Sequence, residues 1–222
     1  MQSSISKKIH DLLRKNTDHG STEIGGHFTN HELTRAVYNI GTYDGITIKR
    51  GVIEFHSHPA KCSSDRCTIP IPSPNDVINI CIGQLNNPPM LYHILYVCDG
   101  QFIMRFNNNY IQDLQNSDYK TLVKKLSDLF RLLENLHDRK MKQINAIKDR
   151  NMIQSYIRSY RSEWISVINS NNGEVQFVGQ NVIPSVYIPS GIKVRSLNIS
   201  SKFTTAASKA IQMYYNKRKL LL

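Results

Sequence analysis

Apolar and polar positions alternate over short distances in the first half of the chain, which predicts a mixture of short strands and helices. Clusters of glycine, asparagine and proline separate the apolar runs, as turns between elements require. This alternation indicates an α/β fold built on a mixed sheet. We predict helices over 5–15 and 77–85, strands over 24–28, 33–40, 45–53, 91–98 and 101–106, and a turn over 41–45.

The second half is dominated by a helical pattern between residues 119 and 167. Five leucines follow a four-three-four-three spacing, which is typical of an amphipathic helix with a narrow apolar seam. The spacing slips over 137–140, so one broken helix or two helices are expected. The seam packs either on the rest of the chain or on a partner, which would be a homodimer or a second, related subunit. The leucines are Leu122, Leu126, Leu129, Leu133 and Leu136.

The last part of the chain shows two strand-like pieces within 175–188 and a helical stretch over 206–215. A polar break at 169–173 precedes them. We therefore predict three successive segments, namely a domain over 1–110, a helical region over 111–168 and a basic extension over 169–222.

Candidate chemistry is concentrated at the end of one predicted strand. His56 and His58 are separated by one residue, so strand alternation sends both imidazoles to the same face. Asp76, at a predicted helix start, offers a carboxylate as a third ligand. Three protein ligands with one position left for water are typical of a catalytic zinc site.

Glu23, the two histidines and Ser73-Pro74-Asn75-Asp76 occur in an order that resembles the JAMM/MPN+ (JAB1/MPN/Mov34) family of zinc metalloproteases. The resemblance covers roughly residues 5–110. It implies an MPN (cytidine-deaminase-like) fold, in which helices sandwich a mixed sheet, and it implies one zinc ion per chain.

The resemblance also implies a role for each motif residue. His56, His58 and Asp76 bind zinc, which activates a water. Glu23 is the general base and then protonates the leaving amine, and Ser73 donates a hydrogen bond to the oxyanion. The implied activity is an isopeptidase that removes ubiquitin or a ubiquitin-like modifier from lysine.

Several of these residues have alternative roles. Ser73 and Asp76 also suit the start of a helix, as N-cap and as an acid in the first turn. Glu54 shares the strand face of the histidines, so it is either a partner of the site or a competitor of Glu23 as base. Asp65 is a second candidate acid, but it lacks a serine three residues earlier. It lies in a segment, residues 60–72, that is longer than the family's and could form a substrate groove.

The cysteines and the net charge indicate in which compartment the protein acts and what kind of partner it binds. Cys62 and Cys67, spaced C-x4-C, would form a disulfide or half of a second metal site. We expect no secretory signal and no membrane span, hence an intracellular, cytoplasmic or nuclear protein. The net charge of +11 favours an anionic partner, but no reader motif supports nucleic acid. Frequent asparagine, isoleucine and lysine suit an AT-rich genome such as that of a large DNA virus, which would place the protein in host cytoplasm or a virion.

Two other functions fit the same sequence. The chain would be a structural or assembly subunit that docks through its C-terminal helices, or an enzyme that processes the tail of a sulfur-carrier protein. Because the four-part motif is complete, it argues against a purely structural role.

Overall fold

The computed structural model describes residues 1–42, 46–59, 62–63, 66–67, 71–147, 149–198 and 200–219. Within these residues, the strands are β1 (Gln2–Ser4), β2 (Ile24–Phe28), β3 (Ala36–Ile40), β4 (Ile53–Ser57), β5 (Cys62–Ser63), β6 (Arg66–Cys67), β7 (Tyr92–Val97), β8 (Gly100–Phe106), β9 (Gly173–Gly179) and β10 (Ser185–Tyr187). The helices are α1 (Lys7–His19), α2 (Pro74–Gln84), α3 (Asn108–Asn116), α4 (Tyr119–Asn145), α5 (Arg150–Ser170) and α6 (Ser201–Lys219).

The fold is mixed α/β, as the alternation of elements predicts. The described strands form a six-stranded sheet in the order β3-β2-β4-β7-β8-β9 and two separate strand pairs, β1 with β10 and β5 with β6. Strands β4 and β7 are parallel, whereas β2 is antiparallel to both β3 and β4, and β7 is antiparallel to β8. The sheet is therefore mixed, and β4 lies at a central position between two neighbours.

The chain divides into two compact units, and each is discontinuous in sequence. The first comprises Met1–Ile71, Asn86–Arg105 and Val175–Asn198, and the second comprises Pro72–Leu85, Phe106–Glu174 and Ile199–Leu222. The predicted segments 1–110, 111–168 and 169–222 do not coincide with these units. The difference arises because α2 packs with α4 and α6, while residues of the tail pair with N-terminal residues of the first unit.

In the first unit, the core lies between α1 and the sheet. Ser6 caps α1 through its side chain, which accepts from the amide of Ile9, and the helix ends at His19. Leu13 is fully buried on the face of α1 that meets β4 and β7. All five residues of β4 are buried, as expected for a central strand covered on both faces.

In the second unit, the predicted leucine seam lies on α4. All five leucines are buried, and α4 packs against α2, α5 and α6. The seam therefore packs within the chain, and the expected partner along 119–167 stays a prediction. The region 119–167 forms two helices, but the break falls after Asn145 and not over 137–140.

Other predictions differ in their outcome. The strand over 24–28 and the strand pair at 91–98 and 101–106 are confirmed. The strand over 45–53 is wrong, because among its described residues only Ile53 belongs to a strand. The strand over 33–40 begins only at Ala36, because Leu33 lies in a turn with a φ of 52°. The turn over 41–45 falls partly outside the described residues.

Candidate metal centre

The end of β4 brings two imidazoles together. His56 belongs to the strand, and His58 follows its last residue, with a backbone amide that donates to the carbonyl of Tyr96 on β7 at 2.8 Å. The Nε2 atoms of His56 and His58 lie 3.0 Å apart. Two nitrogen ligands on one tetrahedral zinc would lie about 3.3 Å apart. The pair therefore needs little adjustment to bind one metal ion.

Glu23 is the third member of this cluster. Its backbone is fixed by Thr42 and Gly41: the amide of Glu23 donates to the Thr42 carbonyl at 2.9 Å, and its carbonyl accepts from the Gly41 amide at 2.8 Å. Since Gly25 pairs with His56 in the β2–β4 register, Glu23 falls opposite His58 when the register is continued. Its Oε1 lies 3.8 Å from Nε2 of His58.

Together, Glu23, His56 and His58 form a group that could hold a metal ion. One ligand atom from each residue lies within 4.8 Å of the others. His56 is buried, while His58 and Glu23 keep small exposed fractions of 13% and 12%. Two imidazoles and a carboxylate are a donor set that suits zinc and other divalent transition metals. This donor set supports a site for a divalent transition metal, of which zinc is one.

Gly25 makes room for His56. A Cβ atom at this position would lie 3.0 Å from the Cβ of His56 and 2.9 Å from Cγ1 of Ile48. Both are closer than ordinary carbon contacts allow. The glycine after Glu23 and Ile24 therefore serves the close packing of β2 against the histidine strand.

Three further polar side chains, those of His93, Glu54 and Arg50, form a row that continues from His56. The Nδ1 atom of His56 lies 2.6 Å from Nε2 of His93, on β7. On the other side of its ring, Nδ1 of His93 lies 3.5 Å from Oε2 of Glu54. Glu54 also accepts from Arg50 at 2.9 Å and from the amide of Gly51 at 3.0 Å. Sequence reasoning missed His93, although a lone histidine inside the apolar run 91–98 was a signal for it.

The carboxylate of Glu54 is fully buried. Burial raises the pKa of this carboxyl, but the adjacent His93 ring, the Arg50 guanidinium and the Gly51 amide outweigh it, so that the pKa lies below its ordinary value. Glu54 is therefore ionised and held within the protein. Glu54 contacts His93, Arg50 and Gly51. Glu23, by contrast, belongs to the group that could hold a metal ion.

Ser73 and Asp76 lie in the second unit, where they cap α2. The Ser73 hydroxyl accepts from the Asp76 amide, and Oδ2 of Asp76 accepts from the amide and hydroxyl of Ser73 at 2.7 and 2.8 Å. This capping box, with Pro74 in the first turn, confirms the structural role that the sequence also suggested. The roles of Asp76 as zinc ligand and of Ser73 as oxyanion donor stay predictions.

The segment 60–72 is described only in part. Cys62 on β5 and Cys67 on β6 are partners in an antiparallel register. Asp65, the second candidate acid, lies outside the described residues. The proposed disulfide or second metal site at the two cysteines stays a prediction.

Comparison of the chain with family models, with curated proteins and with solved structures gave no match. Along the described ranges, no helix has both the length and the apolar character needed to cross a membrane.

Proposed function

We propose that the chain is a metal-dependent isopeptidase of the JAMM type, which cleaves ubiquitin or a ubiquitin-like modifier from a lysine side chain. The observation that carries the proposal is the convergence of His56, His58 and Glu23 at adjacent strand ends. These are three of the motif residues on which the sequence resemblance depends. Their geometry supports metal binding, and the resemblance supplies the substrate class.

In the proposed site, His56 and His58 would hold zinc through their Nε2 atoms, which lie 3.0 Å apart. When bound, zinc supplies Lewis acidity and makes a water acidic enough to ionise near neutral pH. The resemblance assigns the third ligand to Asp76, and this assignment rests on the sequence motif.

Glu23 acts as the proton carrier in this proposal. Its carboxylate is beside His58 and slightly exposed, so it can reach both solvent and a molecule bound at the histidines. It would accept a proton from the attacking water and deliver that proton to the lysine amine as the amide bond breaks. Ser73 is assigned by the resemblance to donate to the oxyanion.

Replacement of Glu23 tests the proposal. Glu23→Gln removes the base but keeps the shape, so the purified variant should retain its zinc and lose cleavage of diubiquitin by at least about 100-fold. Glu32→Gln, which changes an exposed acid of the same unit, should cleave like the wild type. Turnover should be measured with a panel of diubiquitin linkages and zinc content by elemental mass spectrometry.

The same variants distinguish the alternatives. Loss of zinc in Glu23→Gln would make Glu23 a ligand and not the base. Full turnover in that variant would contradict its role altogether. If a zinc-loaded wild type cleaves no ubiquitin conjugate but processes a sulfur-carrier tail, the substrate class is wrong and the metal site stands.

A further inference from the structure

A row of polar side chains, three of them buried and the fourth, Arg50, 21% exposed, leads to the candidate metal centre. It consists of Arg50, Glu54, His93 and His56, and we refer to it as the histidine relay. Glu54, His93 and His56 expose 0%, 3% and 2% of their surface. Burying such groups costs free energy unless each has a partner, so an apolar strand pair would be the simpler solution if packing were the only requirement.

Strand register brings the members of the relay together. In the parallel β4–β7 pair, Glu54 lies beside His93, and His56 lies beside Leu95. By alternation, Glu54, His56, His93 and Leu95 all project from the same face of the sheet. His93 thus lies between Glu54 and His56, and it contacts each of them with a different ring nitrogen.

The Glu54 carboxylate determines which ring nitrogens of His93 and His56 carry a proton. Both oxygens of Glu54 already accept, one from the Arg50 guanidinium and one from the Gly51 amide, so this carboxylate is an acceptor and the Nδ1 atom of His93 that faces it at 3.5 Å is the protonated nitrogen. Within the described part of the chain this nitrogen has no hydrogen-bond partner, so Glu54 acts on it as a nearby negative charge at 3.5 Å. The Nε2 atom of His93 is then the acceptor for Nδ1–H of His56 at 2.6 Å.

The consequence for His56 is a fixed tautomer. With its proton on Nδ1, His56 presents the lone pair of Nε2 toward His58 and Glu23. A separation of 2.6 Å is too short for the Nδ1 and Nε2 atoms to bind one tetrahedral metal together, for which about 3.3 Å is needed. The His56–His93 contact is therefore a hydrogen bond and not part of the ligand set.

We propose that His93 is a positioning residue, which holds His56 in the Nδ1–H tautomer and aims its Nε2 at the metal, while Glu54 and Arg50 hold His93. This inference rests on the metal site proposed above. Partners of this kind orient metal-binding imidazoles, and their loss commonly lowers metal affinity about 10–100-fold.

The tautomer of His56 can be measured without metal. Two-dimensional ¹⁵N–¹H correlation spectra of the imidazole rings, recorded on the metal-free wild type, distinguish the Nδ1–H from the Nε2–H form. We expect His56 in the Nδ1–H form, and we expect a variant that lacks the His93 acceptor to show a mixture. His56 in the Nε2–H form in the metal-free wild type would overturn the proposal.

Two substitutions of His93 separate positioning from packing. Glutamine carries its amide oxygen near the position of the imidazole Nε2, so His93→Gln keeps an acceptor for His56. Asparagine reaches only the position of Nδ1, so His93→Asn keeps the contact with Glu54 and loses the one with His56. Zinc affinity, measured by chelator competition, should fall about 10–100-fold in His93→Asn and stay within about 3-fold of wild type in His93→Gln.

His10→Asn is a matched control. His10 is also a buried histidine with one side-chain partner, the hydroxyl of Tyr96 at 3.2 Å, and Tyr96 projects from the opposite face of β7. This variant should lose stability but bind zinc as the wild type does. The visible spectrum of the cobalt-substituted protein should change in His93→Asn and not in His10→Asn.

The outcomes keep this inference distinct from the proposed function. Equal zinc affinity in His93→Asn and the wild type would overturn the positioning role, even if the enzyme cleaves ubiquitin. Tight zinc binding that depends on His93, without cleavage of any ubiquitin conjugate, would support the positioning role and refute the isopeptidase. A wild type that binds no metal would overturn both.

Discussion

Two glutamates on the same sheet face have environments that suit different tasks. Glu54 is fully buried between Arg50, Gly51 and His93, and the pKa of its carboxyl is held below its ordinary value. Glu23 is partly exposed and lies 3.8 Å from His58. A proton carrier needs contact with solvent at the site. The carboxylate of Glu23 is partly exposed there, whereas that of Glu54 is fully buried. This difference supports the proposal that Glu23 is the base and Glu54 a fixed anion.

The lowered pKa of Glu54 predicts a specific dependence of stability on pH. A carboxyl whose pKa is lower in the folded than in the unfolded protein stabilises the fold above its unfolded pKa, near 4.5. This contribution is lost as pH falls through the folded value. Urea unfolding of the metal-free protein between about pH 5 and pH 3 should show the loss in the wild type and a flatter profile in Glu54→Gln.

Glu54→Gln should also lower the free energy of unfolding at neutral pH by about 3 kcal/mol, because it removes the buried charge that the Arg50 guanidinium and the Gly51 amide contact. Glu174→Gln is the control, since Glu174 is an exposed acid. An acid profile of Glu54→Gln as steep as that of the wild type would contradict the assignment.

At the scale of elements, the sequence predicts a helix or strand correctly where contacts between residues close in sequence determine it. The leucine spacing predicts α4, the capping box predicts the start of α2, and both are observed. The strand expected over 45–53 is not observed. Its β-branched residues before Ile53 lie in a loop that connects two strands, and one of them, Ile48, packs close to Gly25. β1 was missed because its partner β10 is more than 180 positions away, and no local pattern reports such pairing.

Ser73 has a role in α2 that is separable from catalysis. Ser73→Ala should lower the free energy of unfolding by about 1 kcal/mol through loss of the N-cap, while Ser73→Gly should cost only a few tenths. Both variants lack the hydroxyl. If Ser73 donates to the oxyanion, the two should lose turnover equally, by roughly 3 kcal/mol of barrier.

Chemical denaturation and diubiquitin cleavage, measured on the same preparations, separate these effects. Activity that returns in Ser73→Gly along with the stability would assign Ser73 to the helix alone. That outcome would leave the histidine site untouched.

At the scale of the molecule, the sequence predicts three residues of the candidate site but not the buried histidine that contacts one of them. Glu23, His56 and His58 were identified from their motif, and strand pairing brings them together. His93 and the relay were missed because they depend on the parallel β4–β7 register, which only the three-dimensional fold reveals. The two compact units differ from the predicted three-segment division because both draw on distant parts of the chain.

The metal content of the purified chain shows whether the cluster of His56, His58 and Glu23 binds a metal ion. Elemental mass spectrometry should be applied to the wild type, to His56→Ala and to His19→Ala, in which an exposed histidine at the end of α1 is replaced. The account predicts about one zinc per chain in the wild type and in His19→Ala, and none in His56→Ala. A wild type without metal, after zinc-replete expression and purification without chelators, would contradict the metal site and the isopeptidase proposed on it.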